Sequence, residues 1–253
     1  MINKQYTSND IFLVTGGTSG IGKAVSLFLL KQGAKVVVIG RSEGKLEKIY
    51  KESRYNENLY IVKKDLATNF DALPNFILEL SRKYGKFRGC ILSAGILDVS
   101  PLRILKEKNA KKLFDINYFS TLFMAKAFSD KRVNIGEGSS LVIISSISSI
   151  IGESGIVNYS ASKGAINSMV KSLAKELSSQ KVRVNSILPG TIKTEMVHNC
   201  KAYTKEYLEH LETVYPLGLG TINDIIEPIV FLLSDSARWI TGTNLVVDGG
   251  ISL

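Results

Sequence analysis

A tyrosine and a lysine four positions apart, Tyr159 and Lys163, are the residues of this sequence best suited to proton transfer. On a helix, side chains four residues apart lie on the same face, one turn above the other. A free tyrosine has a pKa of about 10, and an ammonium group one turn away favours its phenolate form. Tyr159 is therefore a candidate proton donor or acceptor, although two unrelated surface residues can have the same spacing.

The residues that follow Tyr159 predict the helix that this pair requires. Apolar side chains recur at spacings of three and four over residues 158–179, which forms a single apolar stripe. The stripe consists of Ala161, Ala165, Ile166, Met169, Val170, Leu173, Ala174 and Leu177.

A glycine-rich turn lies between a short apolar run at 11–14 and a helical pattern at 21–32. Glycines at such a turn allow a tight bend, close approach of the backbone to a pyrophosphate, and close packing of the helix on the sheet. The helix N-terminus then offers unpaired N–H groups to the phosphates. This context indicates a dinucleotide site. The residues expected to contact the cofactor here are Gly16, Thr18, Ser19, Gly20 and Ile21.

The end of the second predicted strand indicates which dinucleotide is preferred. A site for NAD usually has a carboxylate about twenty residues past the glycines, but Gly40 occupies that place and Arg41 follows it. An arginine fork pairs well with a 2′-phosphate, and the Ser42 hydroxyl can assist. We therefore expect NADP(H) rather than NAD(H). The alternative is a solvated arginine beside a serine that caps the next helix.

Two further segments are expected to contact the cofactor. Asp65 and Leu66 follow the third predicted strand at the height of an adenine, although a turn or a helix cap explains them equally well. Ala94 and Gly95 follow the fourth strand, where small residues let a cofactor pass over the strand ends.

Short apolar runs alternate with longer helical patterns along the chain. Several runs lack polar alternation, which is typical of strands covered on both faces. The pattern predicts one α/β domain over residues 1–253, a Rossmann fold whose doubly wound parallel sheet has about seven strands and helices on both faces. The predicted strands are 11–14, 35–39, 59–62, 89–92, 141–145, 182–188 and 244–247, and the predicted helices are 21–32, 43–53, 70–84, 102–128 and 158–179, followed by a less regular stretch at 194–235.

Composition narrows the class of partner. The 253 residues have a formal net charge of +9, but Lys and Arg are spread along the chain, so we expect no nucleic acid and a mild attraction for anionic ligands. No apolar run reaches the roughly 18 residues of a membrane span. The two cysteines cannot form a disulfide framework, which indicates a reducing cytoplasm. The two histidines lack a ligand cluster, so no metal is expected.

Together these motifs resemble the short-chain dehydrogenase/reductase family over nearly the whole chain. The turn Thr15-Gly16-x-x-x-Gly20-Ile21-Gly22 is similar to the cofactor turn of that family, and Tyr159-x-x-x-Lys163 to its catalytic pair. Ser146 lies thirteen residues before the tyrosine, where the family has a catalytic serine, and Asn117 matches the asparagine before its long central helix. The family's Asn-Asn-Ala-Gly segment is Leu92-Ser93-Ala94-Gly95 in this sequence, so the asparagine that usually stabilises that strand is absent.

The C-terminal half carries two more of these motifs. Trp239-Ile240-Thr241-Gly242 and Val247-Asp248-Gly249-Gly250 are similar to the family's C-terminal signature. The segment Pro189-Gly190-Thr191-Ile192-x-Thr194 looks like the turn that contacts the nicotinamide. From the resemblance, the cofactor contacts in this half are Pro189, Gly190, Ile192 and Thr194, together with Tyr159 and Lys163.

The resemblance implies hydride transfer between C4 of a nicotinamide and a carbonyl or secondary-alcohol carbon. Tyr159 is then the acid in reduction and the base in oxidation, and Lys163 lowers its pKa and binds the nicotinamide ribose. Ser146 polarises the substrate oxygen, although its neighbours Ser145, Ser148 and Ser149 show that a serine-rich strand end can be structural. Asn117 binds a water that links Lys163 to solvent.

Chain length and the C-terminal signature look most like 3-oxoacyl-(acyl carrier protein) reductases, so a 3-oxoacyl thioester, either free or carrier-bound, is the first substrate hypothesis. A sugar, polyol or other small-alcohol dehydrogenase is the nearest alternative. A dinucleotide sensor without catalysis is the alternative from another class, but such proteins typically lack the tyrosine or the lysine. Residues 194–216 form either a mobile lid over the substrate or a packed surface helix pair. The family also implies a homo-oligomer, a tetramer or a dimer.

Overall fold

The chain forms one seven-stranded parallel sheet in a computed structural model that describes residues 6–200 and 202–253. Residues 1–5 of the predicted domain and Lys201 of the predicted lid lie outside the described residues. The spatial order of the strands is β3-β2-β1-β4-β5-β6-β7. The predicted Rossmann architecture is confirmed. The strands are β1 (Ile11–Thr15), β2 (Lys35–Gly40), β3 (Leu59–Lys63), β4 (Gly89–Leu92), β5 (Ser140–Ile144), β6 (Arg183–Pro189) and β7 (Asn244–Val247).

Helices cover both faces of this sheet. The described helices are α1 (Gly20–Lys31), α2 (Glu43–Glu52), α3 (Leu73–Tyr84), α4 (Glu107–Phe114), α5 (Ser120–Phe128), α6 (Val157–Leu177), α7 (Glu195–His198), α8 (Lys205–Val214) and α9 (Ile222–Leu233). Alternate residues of β1 point to opposite faces. Leu13 packs in a core with α3, α5 and α6, whereas Val14 packs in a second core with α1, α2 and α9. This double burial explains why the central strands lack polar alternation.

The helix predicted over 102–128 begins later than predicted and is interrupted by a π turn. A 3₁₀ turn at Leu102–Ile104 is followed by α4, then by a π-helical turn at Asp115–Phe119 and by α5. Helical π turns add a residue to the helix and are frequent at functional sites. Here the turn contains the fully buried Asn117, whose side-chain amide bonds the backbone of Ile96 after β4.

The stretch at 194–235 contains three helices with different roles. Helix α9 begins with a capping box between Thr221 and Asp224 and buries six of its residues against the sheet. No residue of α8 is buried. The segment therefore contributes one core helix and, in α7 and α8, a loosely packed cover above the carboxyl ends of β5 and β6.

The order of the strands places a crevice between the ends of β1 and β4, where the winding of the sheet reverses. In sheets of this kind, ligands bind at that switch point. A Cβ atom on Gly16, which has φ +63°, would lie only 2.8 Å from the backbone nitrogen of Ala94. The two strand ends thus approach each other so closely that a side chain at residue 16 would separate them.

Candidate active site

Three candidate catalytic residues meet at one cavity of about 460 Å³ at the carboxyl ends of the strands. Tyr159 lies in the first turn of α6, Lys163 one turn later, and Ser146 directly after β5. The Ser146 side chain hydrogen-bonds with that of Tyr159. The Lys163 ammonium donates to the carbonyl of Ile144 at 2.8 Å and lies 5.7 Å from the centre of the tyrosine ring.

Burial controls the pKa values of this group. It raises the pKa of the Tyr159 hydroxyl, which the hydrogen bond to Ser146 lowers and the charge of Glu153 raises further. Burial also lowers the pKa of Lys163 to about 8. Without a cofactor, burial disfavours the phenolate and raises the pKa of Tyr159. The expected lowering of this pKa by Lys163 together with the oxidised nicotinamide stays a prediction.

The four serines after β5 have separate roles. Buried Ser145 hydrogen-bonds the side-chain oxygen of Asn167 at 2.8 Å, and the nitrogen of the same amide donates to Ser149 at 2.6 Å. These two serines anchor the strand end to α6. Ser146 and Ser148 line the cavity instead, with their hydroxyl oxygens 3.2 Å apart.

Asn117 has a supporting position. Its side-chain oxygen accepts from the Ile96 nitrogen at 2.8 Å, and its side-chain nitrogen donates to the Ile96 carbonyl at 3.0 Å. Thr15 Oγ1 accepts from the backbone nitrogens of Ser93 and Ala94. These bonds hold the segment whose usual asparagine is absent. The Asn117 amide is therefore engaged with the protein, and its expected role in a water link to Lys163 stays a prediction.

The glycine turn fits a dinucleotide phosphate. Gly16 and Gly20 have φ values of +63° and +50°, which side chains rarely adopt. Ser19 is the extended N-cap residue of α1, and its side chain makes no capping hydrogen bond. The first N–H groups of α1 thus remain available to an anion. Ile21 and Thr18 complete the turn, each lining one of two adjoining cavities.

The second cavity, of about 240 Å³, adjoins the first at Gly16, Ser19, Ala94 and Gly95. The other predicted cofactor residues that line it are Thr18, Arg41, Ser42, Asp65 and Leu66. Two of these also have structural roles, since the Asp65 carboxylate accepts from the Ala67 nitrogen at 3.0 Å and Leu66 is part of the core. Together the two cavities form an extended cleft that can hold a dinucleotide.

The turn after β6 forms the opposite wall of the larger cavity. Pro189, Gly190, Ile192 and Thr194 all line it, and their contact with a cofactor stays a prediction. Buried Tyr215 holds this turn: its hydroxyl accepts from the Thr191 nitrogen at 2.9 Å and lies 3.0 Å from the Thr191 hydroxyl. Tyr215 therefore belongs to the scaffold of the turn, although the sequence places it in the predicted lid.

Sequence reasoning missed Glu153, which lines the cavity on the loop between Ser146 and Tyr159. A signal was available, because Glu153 is the only charged residue from 138 to 162. Asn167 and the hydroxyl of Tyr215 were also missed. Their partners are distant in the sequence, and no local pattern marks them.

Comparisons with known proteins agree with this geometry. The family model described as enoyl-(acyl carrier protein) reductase matches residues 16–252. The chain belongs to the short-chain dehydrogenase/reductase family. It is an oxidoreductase that acts on CH–OH groups and uses a dinucleotide cofactor.

Relatives within the family have different substrates. An L-rhamnose 1-dehydrogenase (NAD(P)(+)) of Sphingomonas sp. is 34% identical over 94% of each chain. A 3-oxoacyl-(acyl-carrier-protein) reductase of Thermotoga maritima is 31% identical over 95% of this chain and 97% of its own. The solved structure of 4-hydroxyisoleucine dehydrogenase complexed with NADH has a TM-score of 0.87 and 30% identity, over 96% of this chain and 99% of its own. Family membership thus fixes the reaction class and leaves the substrate open.

Among residues 6–200 and 202–253, no helix is long and apolar enough to cross a membrane, and no cluster of three His, Cys, Asp or Glu side chains could hold a metal ion.

Proposed function

We propose that this chain is an NADP(H)-preferring oxidoreductase that interconverts a carbonyl and a secondary alcohol, with Tyr159 as the general acid and base. The observation that carries the proposal is the meeting of Ser146, Tyr159 and Lys163 in a cavity continuous with the glycine turn. When bound, the dinucleotide supplies or accepts the hydride. The protein provides orientation, hydrogen bonds and one proton.

In the oxidative direction, Tyr159 as the phenolate would accept the hydroxyl proton of the alcohol while the C–O bond becomes double. A nicotinamide cofactor held in the cleft would supply the acceptor for the hydride that leaves the same carbon. Ser146 donates a hydrogen bond to the substrate oxygen. The Lys163 ammonium, held by the Ile144 carbonyl, offers its remaining protons to the nicotinamide ribose. Because burial raises the pKa of Tyr159, phenolate formation depends on the positive charge of the oxidised cofactor together with Lys163.

The NADP preference is supported by the end of β2. A Cβ atom on Gly40 would lie 2.6 Å from the Thr18 methyl carbon, so a carboxylate side chain does not fit there. Exposed Arg41 lines the smaller cavity and forms no ion pair with any described residue. Ser42 caps α2 by accepting from the Lys45 nitrogen at 3.4 Å, which leaves its own proton for a phosphate oxygen.

Steady-state kinetics with both cofactors tests this preference. We expect kcat/KM for NADPH to exceed that for NADH, and Arg41→Ala to reduce the NADPH value by about tenfold or more while sparing NADH. Lys48→Ala is the matched control, because this substitution removes a nearby cation that lines neither cavity. Equal efficiency with NADH in the unaltered protein would contradict the preference.

The substrate is tested by assaying NADPH oxidation against β-ketoesters, diketones and ketosugars. Preferred reduction of β-ketoesters would favour the 3-oxoacyl thioester, and preferred reduction of ketosugars the sugar or polyol alternative. Dinucleotide binding without turnover of any compound would favour the sensor.

We further propose a homo-oligomer, a tetramer or a dimer. The sheet ends at the edge strand β7, where Val246 is 38% exposed, and Trp239 in the turn before β7 is 95% exposed. Apolar side chains on a strand edge are typical of an interface. Light scattering tests the proposal, and a monomeric mass would contradict it.

A further inference from the structure

One carboxylate and two aromatic side chains lie together in the lining of the larger cavity. Glu153 comes from the loop after β5, and Tyr203 and Tyr207 come from the cover. The Tyr207 hydroxyl donates to Glu153 Oε1 at 2.8 Å. The second carboxylate oxygen, Oε2, has no hydrogen-bond partner among the described residues. We call these three residues the acidic rim.

The charge of this rim is opposite to that of the chain as a whole. Two carboxylates line the cavity, and one of them, Glu195, has a cationic partner in Lys45 at 3.4 Å. Glu153 forms no ion pair within residues 6–200 and 202–253. Lys163, the cation of the described lining, is buried at the floor. Although the chain has a net charge of +9, Glu153 therefore places an unpaired negative charge in this part of the cavity lining.

The field of Glu153 reaches the reacting group, since it raises the pKa of the Tyr159 hydroxyl. Three titratable groups lie near Tyr159. They are Lys163 on the same helix, Glu153 on the loop before that helix, and Tyr203 in the segment between α7 and α8. Burial raises the pKa of Tyr203. The Tyr203 side chain is therefore a neutral hydroxyl at physiological pH, and Glu153 provides the negative charge of the rim.

This arrangement selects among ligand chemistries. A free carboxylate oxygen accepts hydrogen bonds from hydroxyl groups, and the hydroxyls of Tyr203 and Ser148 can donate or accept. The rings of Tyr203 and Tyr207, whose centroids are 5.5 Å apart in an edge-to-face pair, give an apolar surface for the C–H face of a sugar. An anionic carrier or a phosphorylated thioester arm would instead meet an unpaired negative charge.

We propose that Glu153 is a substrate-specificity residue that accepts hydrogen bonds from hydroxyl groups of a neutral, polyhydroxylated substrate, of the aldose or polyol class. This proposal rests on the proposed function, because these hydroxyl groups would be neighbours of the carbinol carbon whose hydroxyl proton Tyr159 accepts. An ammonium group on the substrate could also pair with Glu153, but it would form no hydrogen bonds that use the hydroxyls of Tyr203 and Ser148 as donors.

Kinetics on two kinds of substrate tests the proposal. Aldohexoses and 6-deoxyaldohexoses are oxidised with NADP⁺, and ethyl acetoacetate, which lacks hydroxyl groups, is reduced with NADPH. Glu153→Gln removes the charge and keeps the shape. Glu209→Gln on α8 is the matched control, because it removes an equal charge from the cover at a residue that lines neither cavity and pairs with Lys205.

We expect Glu153→Gln to raise KM for the preferred sugar by about tenfold or more, the range of a hydrogen bond to a charged group. KM for ethyl acetoacetate should stay within about twofold, and Glu209→Gln should change neither. Calorimetry of the sugar with the NADPH-loaded protein should show the same loss of affinity, which separates binding from turnover.

Each other outcome overturns the specificity role. Equal changes of both KM values in Glu153→Gln would show a structural residue. Turnover of ethyl acetoacetate or of amino alcohols with none of any sugar would exclude the polyhydroxylated class while the proposed function stands. Absence of turnover with every compound would reject the proposed function and, with it, the specificity role.

Discussion

The floor and the cover of the active-site cavity are built in opposite ways. On the floor, Ser145, Lys163 and Asn167 are buried and bonded to one another or to the backbone of β5 and α6. In the cover, Val197 is the one buried residue of α7 and α8, and surface contacts such as the bond from Tyr207 to Glu153 tie these helices to the rest of the protein. Rigid elements hold reactive groups accurately, whereas loosely packed segments open at little free-energy cost. The chemistry is therefore fixed in the floor, and we assign substrate choice to the cover and the loop it touches.

The largest expected effect on catalysis in this comparison of floor and cover is that of a substitution at Ser146. Ser146→Ala should reduce kcat by about 10²–10³-fold, because one hydrogen bond to the reacting oxygen is lost. Thermal stability should change little, since Ser146 lines the cavity.

Ser145→Ala is the matched control for that variant. It leaves the buried amide oxygen of Asn167 without a donor, so we expect the free energy of unfolding to fall by about 1–3 kcal/mol. If Ser145 were required for turnover and Ser146 for stability, the roles assigned here to the two serines would be wrong. Activity assays and denaturant unfolding measure both effects.

A smaller effect is expected at two tyrosines, one in the cover and one in the scaffold of the turn after β6. Tyr207→Phe should raise KM for the substrate by a few-fold, about the value of one lost hydrogen bond, without changing stability. Tyr215→Phe should instead lower the free energy of unfolding, because the Thr191 nitrogen loses the hydroxyl of buried Tyr215 as its acceptor. If Tyr207→Phe were the more destabilising variant in urea, the cover would be a packed helix pair and not a lid.

The smallest effect is a change in pH dependence. The carboxylate of Glu153 raises the pKa of Tyr159, so its removal in Glu153→Gln lowers that pKa. In the oxidative direction the phenolate is the active form, and the acidic limb of kcat/KM should therefore move to lower pH. A movement to higher pH, or a shift of equal size in Glu209→Gln, would contradict the coupling.

Local sequence patterns predicted the floor better than the cover. The glycine turn, the helical spacing of Tyr159 and Lys163, and Ser146 at thirteen residues before the tyrosine all depend on neighbours along the chain. The contact between Tyr207 and Glu153 joins residues 54 positions apart, and no periodicity predicts it. The division of the helix over 102–128 also depends on a distant partner, since Asn117 bonds Ile96 across 21 positions.

Electrostatics was the least predictable property of the site. The spacing of Tyr159 and Lys163 predicted a lowered tyrosine pKa, because an opposite charge favours the phenolate. Without a cofactor, burial reverses that direction, and it also reduces the basicity of Lys163. The depth of a group in the fold cannot be obtained from its spacing along the chain.

The central claim is that Tyr159 transfers the proton while the rest of the floor binds the cofactor. Tyr159→Phe removes only the hydroxyl and keeps the ring, so NADPH affinity measured by fluorescence titration should stay within about twofold. Turnover of the best substrate should fall by about 10²–10⁴-fold, the usual contribution of a general acid or base. Retention of turnover in Tyr159→Phe, with cofactor affinity intact, would contradict the account.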